Sequence, residues 1–279
     1  MKILTLTPLA IALFFLGNAS SFGLEYESPR TLGLGGAGRA APLLNDAIYL
    51  NPSHGSFTPV YSLFGGYTGY NSGRNYNFSI QDSRTEVFQA GAGFTKRDQN
   101  IAINVGASKM VVQRLGVGIG TKILLDNNTN HTTTDLLVSS SFIALPWMYT
   151  SLIVDNLIEN SSSVNRNLYR TGFLAFKFMP ANKVEIFVDP FYSPSYGNGN
   201  KAGYSAGLEL GVLEDFYLRM GKFQDAEIPH MNTRGSGFGT GLGWIGPKVN
   251  FEYAMSRALT SHSSAATNTA HSGSMTVFF

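Results

Sequence analysis

Apolar residues alternate with small or polar ones along most of this 279-residue chain. In Leu115–Leu125 the odd positions are Leu115, Val117, Ile119, Ile123 and Leu125, broken only by Thr121. The even positions are Gly116, Gly118, Gly120, Lys122 and Leu124. In Gly203–Val212 one face is Tyr204, Ala206, Leu208, Leu210 and Val212, and the other is Gly203, Ser205, Gly207, Glu209 and Gly211. Val249, Phe251, Tyr253 and Met255 likewise oppose Asn250, Glu252 and Ala254. A period of two means strand, with one face apolar. Such segments recur near 59–69, 73–82, 85–95, 100–110, 115–125, 134–144, 147–155, 167–178, 182–192, 203–212, 215–224, 234–244, 249–255 and 271–279. A tilted strand of about ten residues crosses a bilayer.

The spacers alternate as well. Asp126–Thr133, Asn156–Arg166, Ser193–Asn200, Gln224–Thr233 and Arg257–Ala270 are long and rich in Asn, Ser, Thr or Gly. Between them lie the tight connections Val111–Arg114, Leu145-Pro146, Met179–Asn182, Leu213–Asp215 and Ile245–Pro247. Membrane barrels carry short periplasmic turns and longer external loops, because every backbone group in lipid must be paired within a closed sheet. The expectation is an all-β fold: a closed antiparallel transmembrane β-barrel of about fourteen strands over 59–279, in the bacterial outer membrane. Trp147, Tyr149, Tyr192, Trp244 and Tyr253 fall near strand ends, where aromatic girdles form.

The start of the chain reads differently. Lys2, the apolar run Ile3–Leu16 and small residues between Ala19 and Gly23 form a secretory signal, so 1–23 is expected to be cleaved. No later stretch approaches a transmembrane helix. Residues 24–58 do not alternate and hold too little apolar surface for a separate domain, so they are expected to pack inside or beneath the barrel as a plug.

Composition narrows the choices further. Charged residues are 14 %, while aromatics are 13 % and glycines number 31, which suits a wall with one face in lipid better than a soluble sandwich. Without cysteine, disulfide scaffolds and thiolate metal sites are excluded, and a net charge of +2 argues for no nucleic-acid partner. The lumen is where charges on the strands belong, since each costs about 2–4 kcal/mol at the lipid-facing midplane. Parity places Lys122, Glu185, Asp189, Glu209, Arg219 and Glu252 there. Their mixed signs imply no ion selectivity.

Three motifs invite enzymatic readings. Gly33-Leu34-Gly35-Gly36-Ala37-Gly38 fits G-x-G-x-x-G, yet no βαβ unit follows it, so close packing in a plug is the better reading. Gly203-Tyr204-Ser205-Ala206-Gly207 fits the hydrolase elbow, yet the alternation runs straight on to Val212 instead of turning into a helix. His54, His131, His230, His262 and His271 are scattered with no metal-ligand spacing. Asn127, Asn130 and Asn160 head sequon-like triplets that are ordinary loop chemistry in a bacterial membrane protein. No catalytic residue, metal site or cofactor is expected.

Pro29-Arg30-Thr31-Leu32-Gly33-Leu34-Gly35-Gly36-Ala37-Gly38, followed by Asn45-Asp46-Ala47-Ile48-Tyr49-Leu50-Asn51-Pro52-Ser53, resembles the N-terminal signature of the FadL-like outer-membrane proteins. That group includes fatty-acid transporters, aromatic-hydrocarbon channels and PorV-type secretion components. The resemblance implies a fourteen-stranded barrel plugged by its N-terminal segment, with Gly33, Gly35, Gly36, Gly38, Asn51 and Pro52 as plug positions. Ser53 departs from the family's usual Ala, and the short chain lacks the length for extended external loops. The leading expectation is a non-enzymatic channel passing small, fatty-acid-like hydrophobic molecules, opened by plug displacement or a gap in the wall. Its partners would be outer-membrane lipid and a hydrophobic ligand. The alternative is a non-transporting scaffold with a protein partner, as in PorV-like barrels.

Overall fold

The computed structural model describes residues 26–71, 73–97, 100–126, 131–165, 167–197, 199–228, 231, 233–261 and 268–279. The signal-like stretch, His230, His262, Asn127 and Asn130 lie outside the described residues.

Fourteen antiparallel strands form one closed sheet. They are β1 Tyr61–Tyr70, β2 Gly73–Asp82, β3 Gln89–Arg97, β4 Asn100–Val112, β5 Leu115–Asp126, β6 His131–Leu145, β7 Met148–Asp155, β8 Thr171–Ala181, β9 Val184–Tyr192, β10 Ala202–Gly211, β11 Phe216–Ile228, β12 Thr233–Ile245, β13 Val249–Ser261 and β14 Asn268–Phe278. Each pairs with its sequence neighbours. β14 closes the ring against β1, from Ser62 opposite Phe278 to Tyr70 opposite Ala270. Closure leaves no edge of unpaired backbone groups, the condition for residing in hydrocarbon.

Alternation decides which face meets which solvent. Val105, Ile119, Leu152, Leu174, Met220, Leu242 and Phe251 point outward and are exposed, forming an apolar exterior. Asn77, Thr95, Asn104, Ser139, Ser141, Ser151 and Thr276 point inward and are buried. This inversion of the soluble pattern marks a membrane-spanning barrel. No described helix is long and apolar enough to cross a membrane.

Local chemistry adjusts several sequence boundaries. The third strand starts at Gln89 rather than near 85, because Asp82 accepts hydrogen bonds from the Arg84 amide (2.9 Å) and the Thr85 hydroxyl (3.2 Å) and turns the chain. Asn167–Arg170 stay in the connection before β8, tied down by hydrogen bonds from Arg170 to Glu159 and Leu157. β13 runs on to Ser261, so the last long loop is shorter than its polar sequence suggests. One end of the barrel carries the longer connections 156–170 and 193–201, but also the very short 71–72 and 98–99. In the β8–β9 ladder, Leu174 and Ala175 have no register partners where Asp189 and Pro190 stand opposite. Pro190 has no N–H to give.

Candidate functional site

Residues 26–58 pack against the inward side of the strands and form three short helical pieces: Pro29–Gly33, Asp46–Leu50 and the 3-10 turn Pro52–Phe57. Ser28 and Thr31 cap the first piece reciprocally: the Ser28 hydroxyl accepts from the Thr31 amide and the Thr31 hydroxyl from the Ser28 amide. Gly35 and Gly38, at φ +64 and +116, take left-handed backbone that a side chain would strain.

Two rows of glycines hold this inner segment. Gly207, Gly221 and Gly239 are successive register partners across β10, β11 and β12. A Cβ at Gly221 or Gly239 would overlap the backbone of Leu34 or Leu32, and one at Gly207 would lie 2.9 Å from Leu34. On the other wall Gly91, Gly106 and Gly120 are register partners across β3, β4 and β5. Ile48 and Pro52 rest on this second row, the Ile48 Cδ1 lying 2.7 Å from a Cβ built at Gly91. Both family-like motifs of the N-terminal segment therefore sit on flat backbone floors, where dispersion contacts replace water.

Hydrogen bonds fix the segment's second half. The Asn51 side-chain amide shares its two protons among the Arg39 carbonyl (2.8 Å), Ser141 Oγ (2.9 Å) and Ser151 Oγ (3.1 Å). The Ser53 hydroxyl donates to Asn51 Oδ1 (2.6 Å) and lies 2.7 Å from Ser141 Oγ, and the Ser53 amide donates to Ser139 Oγ (3.0 Å). The departure from the family's Ala is thus used here as a polar anchor to β6. Asp189 Oδ2 accepts from the amides of Gly38 and Arg39, both at 2.9 Å.

Charges run through the lumen as an alternating chain. Lys177 Nζ meets Glu185 at 2.6 Å, and Glu185 stands 3.8 Å from Arg30. Arg30 Nε meets Glu209 at 3.2 Å, Glu209 meets Arg219 at 2.5 Å, and Arg219 meets Glu252 at 2.7 Å. Lys122 pairs with Asp155 at 3.2 Å. Removing one partner of such a buried pair leaves an uncompensated charge and costs about 3–5 kcal/mol. Asp46, buried in the inner segment, is pushed up to about 6; burial dominates, offset in part by the Tyr26 hydroxyl at 2.5 Å. Burial pushes His54 down to about 3, with Lys177 and Arg30 adding to the effect.

Between the inner segment and the longer-loop end lies a cavity of about 90 Å³. Phe173, Phe191, Phe223, Ala226 and Ile228 form its apolar wall, and Leu32, Gly35 and Gly36 its floor. Two guanidinium groups lie on the aromatics. Arg39 is 4.1 Å above the Phe173 ring, and Arg234 is 4.1 Å from Tyr196 and 5.1 Å from Phe191.

All six charges assigned to the lumen by parity, Lys122, Glu185, Asp189, Glu209, Arg219 and Glu252, have their side chains inside the barrel. Five are buried and Glu185 is partly so. Gly33, Gly35 and Gly36 lie by the first glycine row or the cavity, Gly38 donates its amide to Asp189, Asn51 is held by Ser141 and Ser151, and Pro52 lies by the second row. Parity misses Arg30, Arg39 and Asp46, which belong to the non-alternating segment, and Lys177, on a strand with large residues on both faces. Tyr149 corrects the girdle expectation: it faces inward, with Lys177 Nζ 5.6 Å from its ring and His54 at 6.3 Å. Trp147, Tyr192 and Tyr253 are exposed. Ser205 lies within β10, opposite Asp189 and Phe223, so its strand continues where an elbow would turn. No histidine lines the cavity among the described residues, and none of them cluster as metal ligands.

No family model and no curated protein matches the sequence. Solved structures do match in shape. The Ralstonia pickettii toluene transporter TbuX is 11 % identical with a TM-score of 0.63, over 91 % of this chain and 98 % of that one. The Pseudomonas putida toluene transporter TodX is 10 % identical with a TM-score of 0.68, over 92 % and 99 %. A Pseudomonas aeruginosa FadL homologue gives 10 % and 0.63, over 92 % and 99 %. With its fourteen closed strands, the chain has the FadL-type barrel fold of these bacterial transporters.

Proposed function

We propose that this chain resides in the bacterial outer membrane and passes small hydrophobic molecules across it, with 1–23 as a cleaved signal peptide, 24–58 as the plug and 59–279 as the barrel. The observation that carries this reading is the phenylalanine-lined cavity between the inner segment and the longer-loop end. Apolar walls with a few polar groups are what small-molecule sites share. Among the described residues Arg30, Glu209, Arg219 and Glu252 form one paired run inside the barrel, so these charges are engaged with one another instead of being free for an ion. The structurally similar proteins are toluene transporters and a FadL homologue, which supports transport over catalysis. A cavity of about 90 Å³ favours a small ligand over a long acyl chain.

Passage along the barrel axis requires the plug to shift, because Leu32, Gly35 and Gly36 floor the cavity. Liposomes holding the barrel test this with cysteines at Ser53 and Ser141, whose oxygens are 2.7 Å apart. Oxidation is expected to stop uptake of a neutral one-ring hydrocarbon, and reduction to restore it. Uptake that is indifferent to the crosslink removes the gating claim. The scaffold reading draws on the short 71–72 and 98–99 connections. A stoichiometric protein partner on purification would favour it.

A further inference from the structure

Cations on the outer face of the barrel are gathered on one side of it. Among the described residues, the outward positions of β4 to β10 carry only Lys109, close to the short β4–β5 turn. The arc from β11 through β14 and β1 to β3 carries Lys222, Arg257, Arg74 and Lys96, together with His271, all exposed. Arg74 and Lys96 stand one residue from the longer-loop ends of their strands, His271 three and Arg257 four. Lys222 shares a register row with Arg257 through Phe238. β12, β14, β1 and β3 contain no Asp or Glu, and the carboxylate of β13, Glu252, faces the lumen to meet Arg219. Asp82 of β2 lies at the opposite end. On β11, Asp225 accepts from Asn200 at 2.9 Å and Glu227 is the register partner of Arg234. A cation is costly against hydrocarbon, and the cost fades towards the headgroups. This arc therefore meets headgroups where its charges lie.

The same arc has a shaped surface. Tyr67 of β1, Tyr76 of β2 and Tyr253 of β13 are exposed beside the cations, and tyrosine favours the headgroup level. Lys96, Tyr76, Tyr67, Gly273 and Tyr253 are successive register partners from β3 round to β13. Gly273 adds no side chain between Tyr67 and Tyr253, which leaves a shallow trough; a Cβ built there would approach nothing closer than 3.9 Å. In the adjacent row Arg74, Gly69 and His271 are partners across β2, β1 and β14. The Tyr67 hydroxyl reaches over Gly69, 3.0 Å from a Cβ built on it, and the Tyr253 hydroxyl lies 2.8 Å from His271 Nδ1. Two phenol hydroxyls and two basic side chains thus border one slot on the outside of the wall.

We propose that this face binds a phosphorylated glycolipid of the outer leaflet, with Arg74, Lys96 and Arg257 meeting its phosphates and the Tyr67 and Tyr253 hydroxyls its sugar oxygens. Lys96 and Arg257 are four strand spacings apart, about 19 Å. One phosphodiester cannot span that, so the matching headgroup carries several anions on a broad frame. Guanidinium groups take phosphate oxygens in pairs. Leu63, Phe78, Phe251 and Met275, exposed on the same strands further from the longer-loop end, receive the acyl chains. The proposal needs residence in the outer membrane and does not depend on transport.

Native mass spectrometry of the detergent-purified full chain tests this with three probes: bisphosphorylated lipid A, phosphatidylglycerol and phosphatidylcholine. Wild-type protein is expected to hold lipid A about tenfold or more tightly than either phospholipid, with a preference that shrinks as salt is added. The triple variant Arg74→Gln, Lys96→Gln, Arg257→Gln is expected to lose the preference. Gly273→Phe, which fills the trough and keeps every charge, is expected to weaken it, and Lys109→Gln to retain it. Unfolding temperature in bilayers checks the fold separately. The triple variant is expected to match or exceed the wild type in phosphatidylcholine and to fall below it once lipid A is added. Phosphatidylglycerol binding as tightly as lipid A overturns the proposal. So does a triple variant that keeps the preference, a Lys109→Gln variant that loses it, or a Gly273→Phe variant that binds as the wild type does. Each of these results leaves the channel reading in place.

Discussion

Asn51 shows how much one side chain can hold. Its amide group ties the Arg39 carbonyl to the serines of β6 and β7. Asn51→Asp replaces two donors with acceptors facing a carbonyl, and each buried group left unpaired costs about 1–3 kcal/mol. The chain has no cysteine, so a nitroxide on a single cysteine at Leu43 reports whether the segment is docked. Asn51→Asp is expected to raise the mobile fraction at neutral pH, and an unchanged line shape would show that the amide carries little. Asp46 and His54 set opposing pH dependences. Asp46 titrates at about 6 in the docked segment against 3.8 in water, so its docked form binds the extra proton and gains stability as pH falls from 6 to 4. His54 titrates at about 3 against 6.5, so its undocked form binds the extra proton and docking weakens over the same range. The two slopes offset one another. His54→Gln is expected to dock more firmly at pH 4.5 than at pH 7, and Asp46→Asn less firmly, both read from the same label. Parallel behaviour of the two variants contradicts the assignment.

Individual strands contribute through register rather than length. The glycines on β10, β11 and β12 build a floor because they align as partners, and those on β3, β4 and β5 do the same opposite. Gly221→Val pushes a side chain into the Leu34 carbonyl, and backbone cannot yield as a side-chain tip can. The expected result is a barrel with its strand content intact and an inner segment open to protease between residues 26 and 58. Circular dichroism with limited proteolysis checks both parts. The outer face obeys the opposite rule. Leu152, 57 % exposed to lipid on β7, tolerates no charge: Leu152→Arg is expected to cost about 2–4 kcal/mol in refolding titrations into bilayers. Its inward neighbour permits the contrast, since Ser151→Ala leaves the exterior unchanged and acts only inside, through the contacts with Asn51, Ser141 and the Ala40 carbonyl.

Taken as one object, the molecule keeps its polar residues inside and its apolar ones outside, around a ring with no free edge. That arrangement requires hydrocarbon or detergent as the external solvent. Removal of detergent into plain buffer is expected to yield aggregates by sedimentation, and a folded monomer there would contradict the membrane assignment. The inner segment completes the interior electrostatically. Arg30 bridges Glu185 and Glu209, so Arg30→Met leaves the carboxylates of β9 and β10 facing each other with only Lys177 and Arg219 beside them. A lower unfolding temperature in detergent, with loss of segment docking, is the expected outcome.

The strand number, the inward placement of Lys122, Glu185, Asp189, Glu209, Arg219 and Glu252, and the alternation of connections beyond β4 were legible along the chain, whereas the first four strands break that alternation. Each follows from a period of two and from the cost of charge in lipid, and both are local rules. The glycine rows were visible only as single residues, because register joins positions more than thirty residues apart such as Gly207 and Gly239. Tyr149 turned inward for the same kind of reason: its position near a strand end suited a girdle, while its parity put it beside Lys177 and His54. The cavity and the placement of the Arg39 guanidinium on the Phe173 ring belong to tertiary structure altogether. They arise where a segment without periodicity meets a wall built from distant strands, and packing of that sort has no one-dimensional signature.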